Sequence, residues 1–249
     1  MKDCNFKNEL DLEYLGGIST NLLDKGATVK VNKQSFCLLK DCVKEKLPDS
    51  NRMSSACVID LEDDGFYMKV QSNEVLLCMQ DTCFFLDQSL IIQIGEAMNP
   101  EKQFLVKSLD FPRLRVNFNG HRITSHEDRG INWSRFYQIN EREENNKDGL
   151  VLEDLETNES LTFKEKNNNI VIGGSEADIQ ISRNEIVGKI KYHESIGWTI
   201  KGTSGISKKL GSYGTYLKLG EEKSKHSFKL YVGMKIYVSG HFFKVKSIV

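Results

Sequence analysis

Short stretches of apolar or alternating residues recur along the chain, parted by Asp, Gly, Ser and Asn. In the first half these are Ala56–Leu61, Gly65–Val70, Cys83–Leu86, Leu90–Ile94 and Phe104–Leu109. The second half repeats the texture in Leu150–Leu152, Ser160–Phe163, Ile170–Ile172, Gly188–Tyr192, Trp198–Lys201, Thr215–Leu219, Lys235–Val238 and Phe242–Ile248. β-Branched and aromatic side chains suit a pleated, half-buried surface, and a spacing of about 8–12 residues predicts an all-β sandwich or barrel. One short helix is expected, near Leu38–Lys46, ending before Pro48.

The two halves also match each other. Cys57–Leu61 corresponds to Gly188–Tyr192, and Gly65–Val70 to Gly197–Gly202. Ser89–Gly95 followed by Gln103–Leu109 corresponds to Gly233–Gly240 followed by Phe242–Ile248. Three blocks in one order with similar separations predict two copies of a single fold. The expected organisation is an N-terminal segment 1–17, a first sandwich 18–110, a connecting segment 111–147 and a second sandwich 148–249.

Composition supports a folded, soluble chain, with 39% hydrophobic and 28% charged residues. Apolar runs such as Leu90–Ile92 fall far short of the ~18–20 residues a membrane span needs. The start, Met1–Phe6, has no apolar run of a secretory kind. The overall charge of −1 divides unevenly, at −6 over 1–110, +2 over 111–147 and +3 over 148–249. None of these fields is dense enough for nonspecific nucleic-acid binding, so neither nucleic acid nor membrane is an expected partner. The setting expected is intracellular, cytoplasmic or cytoskeletal, with the cilium and the nucleus as further settings.

Chemistry-bearing motifs are sparse. All six cysteines, Cys4, Cys37, Cys42, Cys57, Cys78 and Cys83, lie in the first third. The pairs Cys37/Cys42 and Cys78/Cys83 enclose Leu-Leu-Lys-Asp and Met-Gln-Asp-Thr, unlike the turn residues of a zinc knuckle. They read as small buried hydrophobes in a reducing compartment. The histidines form no H-E-x-x-H pair, and the chain has neither a phosphate-binding G-x-x-x-x-G-K-[ST] loop nor a G-x-S-x-G elbow. No catalytic residue, metal or cofactor is expected.

The second copy runs in a distinctive order. A strand ends at Ile172-Gly173, then come Ala177-Asp178-Ile179, a loop Ile181–Val187 and the Gly188-Lys189-Ile190 strand. Trp198-Thr199-Ile200, the turn Gly211–Leu217 and a closing pair Gly233–Val238 and Phe242–Val245 follow. This order resembles a forkhead-associated (FHA) domain over nearly all of 150–249, with the first copy a more divergent version. The resemblance implies two FHA-like β-sandwiches in tandem, joined by a β-rich segment. It also implies phosphothreonine-peptide binding by loops at one apex, through an arginine, a serine and an asparagine, with a histidine bracing the loops.

Several of those positions are altered here. Gly174 stands where the family arginine would, Asn184 or Ser182 at the serine, Val187 at the histidine and Tyr213 at the asparagine. Ser212, Gly214 and Thr215 keep the family turn. A charge-assisted hydrogen bond contributes about 1.5–3 kcal/mol, so losing the arginine is expected to cost tenfold or more in phosphate affinity. Arg183, Lys208 and Lys209 are the nearby cations that could substitute. The candidate loop residues are therefore Gly174, Ser182, Arg183, Asn184, Ser212, Tyr213 and Thr215.

The connecting segment holds six of the eight arginines, among them Arg113, Arg115, Arg122 and Arg135, interleaved with aromatics including Trp133 and Phe136. Arginine and tryptophan are enriched at interface hot spots. Asn119-Gly120 predicts a hairpin between Leu114–Phe118 and His121–Thr124. The function expected is a non-enzymatic protein-interaction scaffold, for instance a subunit of a large cytoskeletal or ciliary assembly. The alternative is a phosphothreonine-peptide reader working as a signalling adaptor through the second copy.

Overall fold

A computed structural model of the 249-residue chain describes residues 9–18, 22–31, 36–38, 43–44, 56–62, 65–72, 74–80, 83–86, 90–109, 149–164, 169–193, 197–203, 213–219 and 227–249. Among them every regular element is a strand, so the chain is all-β as its pattern predicts. In chain order these are β1 (Leu10–Gly17), β2 (Thr28–Val31), β3 (Phe36–Leu38), β4 (Val43–Lys44), β5 (Cys57–Glu62), β6 (Gly65–Val70) and β7 (Val75–Cys78). Next come β8 (Cys83–Phe85), β9 (Leu90–Gly95), β10 (Pro100–Ser108), β11 (Leu150–Asp154), β12 (Ser160–Phe163) and β13 (Asn169–Gly173). The last seven are β14 (Ile179–Gln180), β15 (Gly188–His193), β16 (Gly197–Gly202), β17 (Gly214–Leu219), β18 (Ser227–Lys229), β19 (Lys235–Val238) and β20 (His241–Ile248).

The chain forms two compact units, one from Met1–Leu77 with Glu221–Val249, the other from Cys78–Gly220. In the first, one sheet runs β7-β19-β20-β1-β2 and the other β18-β6-β5-β3-β4. In the second, the orders are β17-β9-β10-β11-β12 and β8-β16-β15-β13-β14. These orders match strand for strand, β1 to β11 and so on through β7 to β17, then β18 to β8, β19 to β9 and β20 to β10. One difference is local: β3 and β4 pair antiparallel, whereas β13 and β14 pair parallel.

The repeat read from sequence is thus present in strands β5/β15, β6/β16, β9/β19 and β10/β20, but the units differ from the consecutive division 18–110 and 148–249. Each unit takes seven strands from one copy and three from the other. Strands β8–β10 join β11–β17, and β18–β20 join β1–β7. The physical reason is that β9–β10 and β19–β20 carry the same apolar pattern, so either pair can cover either core, and pattern alone does not choose. Two further corrections belong to the first unit. The stretch 1–17, expected to lie outside both sandwiches, contains β1, which pairs with β2 and β20. In place of the helix expected near Leu38–Lys46, Leu38 ends β3 and Val43–Lys44 form β4, whose pairing sets Leu38 opposite Val43. The connecting hairpin expected over 114–124 lies outside the described residues.

Burial explains why these segments hold. β1 alternates strictly, with Leu10, Leu12 and Tyr14 fully buried and Asp11 and Glu13 half-buried between them. β9, Leu90–Gly95, is buried along its whole length and sits between β10 and β17. In the first unit Ile59, Phe66, Met68, Ile236, Phe243 and Val245 fill the core beside β1. The second buries Ile92, Phe104, Leu152, Ile172, Ile190 and Trp198, the last packed on Tyr192 with ring centroids 5.1 Å apart. Each such side chain contributes about 1.5–3 kcal/mol through removal from water.

Two polar groups in these cores are ordered by partners. The Tyr14 hydroxyl accepts from the Leu22 amide at 2.8 Å and shares a hydrogen bond with His241 Nδ1, 3.0 Å away. Gln93, 3% exposed on β9, donates through Nε2 to the Ala97 carbonyl at 3.0 Å and accepts from Gln103 Nε2 at 3.0 Å. It thereby shapes the turn that leads into β10.

Candidate functional site

The loop 181–187, between β14 and β15, is fastened at both ends to β13. The Ile181 amide donates to the Gly173 carbonyl at 2.8 Å, and the Val187 amide to the Ile172 carbonyl at 2.9 Å. Such a close crossing requires small residues beneath it. A Cβ on Gly174 would lie 2.7 Å from Asn184 Cα and 3.2 Å from the Arg183 carbonyl oxygen, and one on Gly173 would lie 3.0 Å from the Glu185 carbonyl oxygen. The position that the FHA resemblance assigns to an arginine is therefore sterically closed by the loop itself. Thr215, 3% exposed on β17, donates to the Val187 carbonyl at 3.0 Å and so ties β17 to the same loop.

With its ends held, the loop presents Ser182, Arg183 and Asn184 to solvent. One side chain from β10 meets them. Pro100 pairs with Gly95 and Lys102 with Ile94, which leaves Glu101 as the extra residue of a β-bulge. A bulge frees a side chain from the alternating pleat and re-aims it. Here it sends the Glu101 carboxylate onto Ser182, whose amide donates to Oε1 at 2.5 Å and whose hydroxyl donates to Oε2 at 2.8 Å. The Tyr213 hydroxyl donates to Oε2 as well. Arg183 lays its guanidinium over the Tyr213 ring, 4.3 Å from the centroid, and among the described residues it forms no ion pair.

The electrostatics follow from these contacts. Partial burial pushes the Glu101 carboxyl up, but the hydrogen bonds from Tyr213 and Ser182 and the nearby Lys102 charge outweigh it, and the group titrates below its ordinary value. Tyr213 is pushed well above the usual phenol range by desolvation, by its bond to Glu101 and by that carboxylate's charge, with Arg183 opposing. At neutral pH the cluster is thus an ionised carboxylate held by one amide and two hydroxyl donors.

Of the residues expected at the apex, Ser182, Arg183 and Tyr213 converge. Gly174 lies under the loop, Asn184 packs its backbone over Gly174, and Thr215 faces inward as a brace. Ser212 lies outside the described residues, as do Arg113, Arg115, Arg122, Trp133, Arg135 and Phe136. The residue that sequence reading missed is Glu101. Its only signal was the Pro100-Glu101-Lys102 interruption before the apolar run of β10, and the consecutive division assigned that strand to the other copy. The matching hairpin of the first unit, β19–β20, closes in two residues, Ser239 and Gly240, with φ of 45° and 94°. That is a type I′ turn, and it carries no bulged acid.

Among the described residues no group of three or more His, Cys, Asp or Glu side chains could hold a metal ion. No helix among them is long and apolar enough to cross a membrane. Comparison with protein-family models, with curated proteins and with solved structures finds no match for this chain.

Proposed function

We propose that this chain is a non-enzymatic, intracellular protein-interaction scaffold built from two FHA-like sandwich units, in which the phosphopeptide-reading apex has been converted into a structural joint. The observation that carries this reading is the Glu101 carboxylate seated on Ser182 and Tyr213. Donors that an FHA-like apex would offer to an external phosphate are already engaged by an internal anion. The closed space over Gly174 supports the same conclusion, since the cation that grips phosphate in that family has no room there. Partner contacts then fall to other surfaces, and the arginines and aromatics of 111–147 have the composition of an interface.

Titrating the full chain with a phosphothreonine-peptide library tests the proposal. The outcome expected is no binding that depends on the phosphate. Submicromolar, phosphate-dependent binding abolished by Arg183→Ala would instead establish a phosphothreonine reader.

A further inference from the structure

The Ser182, Arg183 and Tyr213 cluster is built for an oxyanion and holds one of its own. Three donors converge on a single carboxylate and use both of its oxygens, much as they would meet two oxygens of a phosphate. The guanidinium of Arg183 lies against Tyr213, with its donors outside any ion pair among the described residues. Glu101 reaches this cluster from a bulge, a device that aims one side chain. The loop and Glu101 are exposed or half-exposed, so displacement of the acid would open the cluster to solvent.

We infer that Glu101 is a built-in competitor that keeps an oxyanion site closed, and that the site takes a tetrahedral phosphate once this side chain is removed or displaced. The inference rests on the reading of this apex as an altered FHA-like loop cluster. A carboxylate tethered by its own strand acts at an effective concentration of about millimolar or more. An external anion of similar intrinsic affinity is therefore excluded until it exceeds that level. Arg183 is positioned to swing from the tyrosine ring toward a dianion, for which a second cation-assisted contact becomes favourable.

The test uses the full chain as wild type, Glu101→Ala, Glu101→Gln and the double variant Glu101→Ala with Ser182→Ala. Amide chemical shifts of Ser182 and Gly174 are followed while inorganic phosphate, and separately a phosphothreonine peptide, is added. Saturable shifts at least tenfold tighter in Glu101→Ala than in wild type, and lost in the double variant, are expected. A response to inorganic phosphate alone identifies a small-anion site; a tighter response to the peptide identifies a peptide site. Should Glu101→Ala fail to fold, Glu101→Gln, which keeps the shape and one acceptor oxygen, gives the same comparison with a smaller gain. Equal affinity for inorganic phosphate in wild type and the folded variants, or no binding of either probe to them, overturns the inference while leaving the scaffold proposal intact. Phosphate-dependent peptide binding by wild type overturns the scaffold proposal instead.

Discussion

The bond between Glu101 and its donors gives the second unit a pH signature. The folded-state carboxyl titrates below its ordinary value, so its contribution is fully present above about pH 4.3 and fades as pH falls through the lowered value. Tyr213 is raised, so its contribution is present below about pH 10 and is lost as pH climbs through the raised value. Between those limits both groups hold the protonation state the bond requires. Both side chains keep partial contact with solvent, which limits the gain to about 1 kcal/mol or less. The melting temperature of wild type should exceed that of Glu101→Gln at pH 7, and the gap should close as the buffer is taken from pH 5 to pH 3. A gap that stays constant over that range would show that the carboxylate charge contributes nothing. Ser182, Arg183 and Tyr213 could be named from the chain because the FHA-like order marks their loops. Glu101 could not, since one acid among 35 Asp and Glu residues carries no motif and only a bulge distinguishes it.

The hairpin β9–β10 is the element that delivers this acid, and Gly95 is its most constrained point. Its φ of +126° is one that other residues adopt only under strain, and a Cβ there would lie 2.5 Å from the Glu101 amide nitrogen and 3.0 Å from Pro100 Cα. Gly240 in the matching hairpin also has a positive φ, but a Cβ on it meets nothing within 4 Å. Both alanine variants carry backbone strain, of about 1 kcal/mol or more, and only Gly95→Ala adds a collision with backbone. Urea unfolding is expected to show the larger loss in Gly95→Ala, together with a changed Ser182 amide shift that Gly240→Ala does not produce. Equal losses and an undisturbed Ser182 would mean that the bulge does not depend on Gly95. At this scale the chain was largely readable. Strands β5, β6, β9, β12, β15 and β19 fall within a residue of their apolar runs, because alternation and turn residues mark both ends. β14 is too short, at two residues, to leave a pattern. Around Leu38–Lys46 the local preference for helix yields to the pairing of β3 with β4 and β5.

For the whole chain, pattern reading found two copies and paired their strands correctly, yet assigned the closing strands to the wrong partners. Equivalent hairpins present equivalent faces, so the choice is made by long-range contacts that periodicity does not record. The exchange has a direct experimental consequence. A protease site inserted at Asn119-Gly120 separates β1–β10 from β11–β20, and each unit needs strands from both pieces. After cleavage the two fragments should co-elute in native gel filtration and part only in denaturant, and the fragment 1–119 expressed alone should not fold. Two separately folded fragments, each with dispersed amide signals, would show that the copies close consecutively.

Where β1 meets β20, the amides of Glu9 and Val249 each donate to the other's carbonyl, at 3.0 and 2.9 Å. Tension applied at these two residues would therefore peel an antiparallel seam from its end, breaking backbone bonds singly rather than shearing a row together. Because 78–220 is threaded between the two stretches of the first unit, it bears load only after that seam has opened. In an optical trap the extension record would begin with a low-force step from the outer unit and continue with release of the inner one, giving the chain the ordered give of a mechanical fuse.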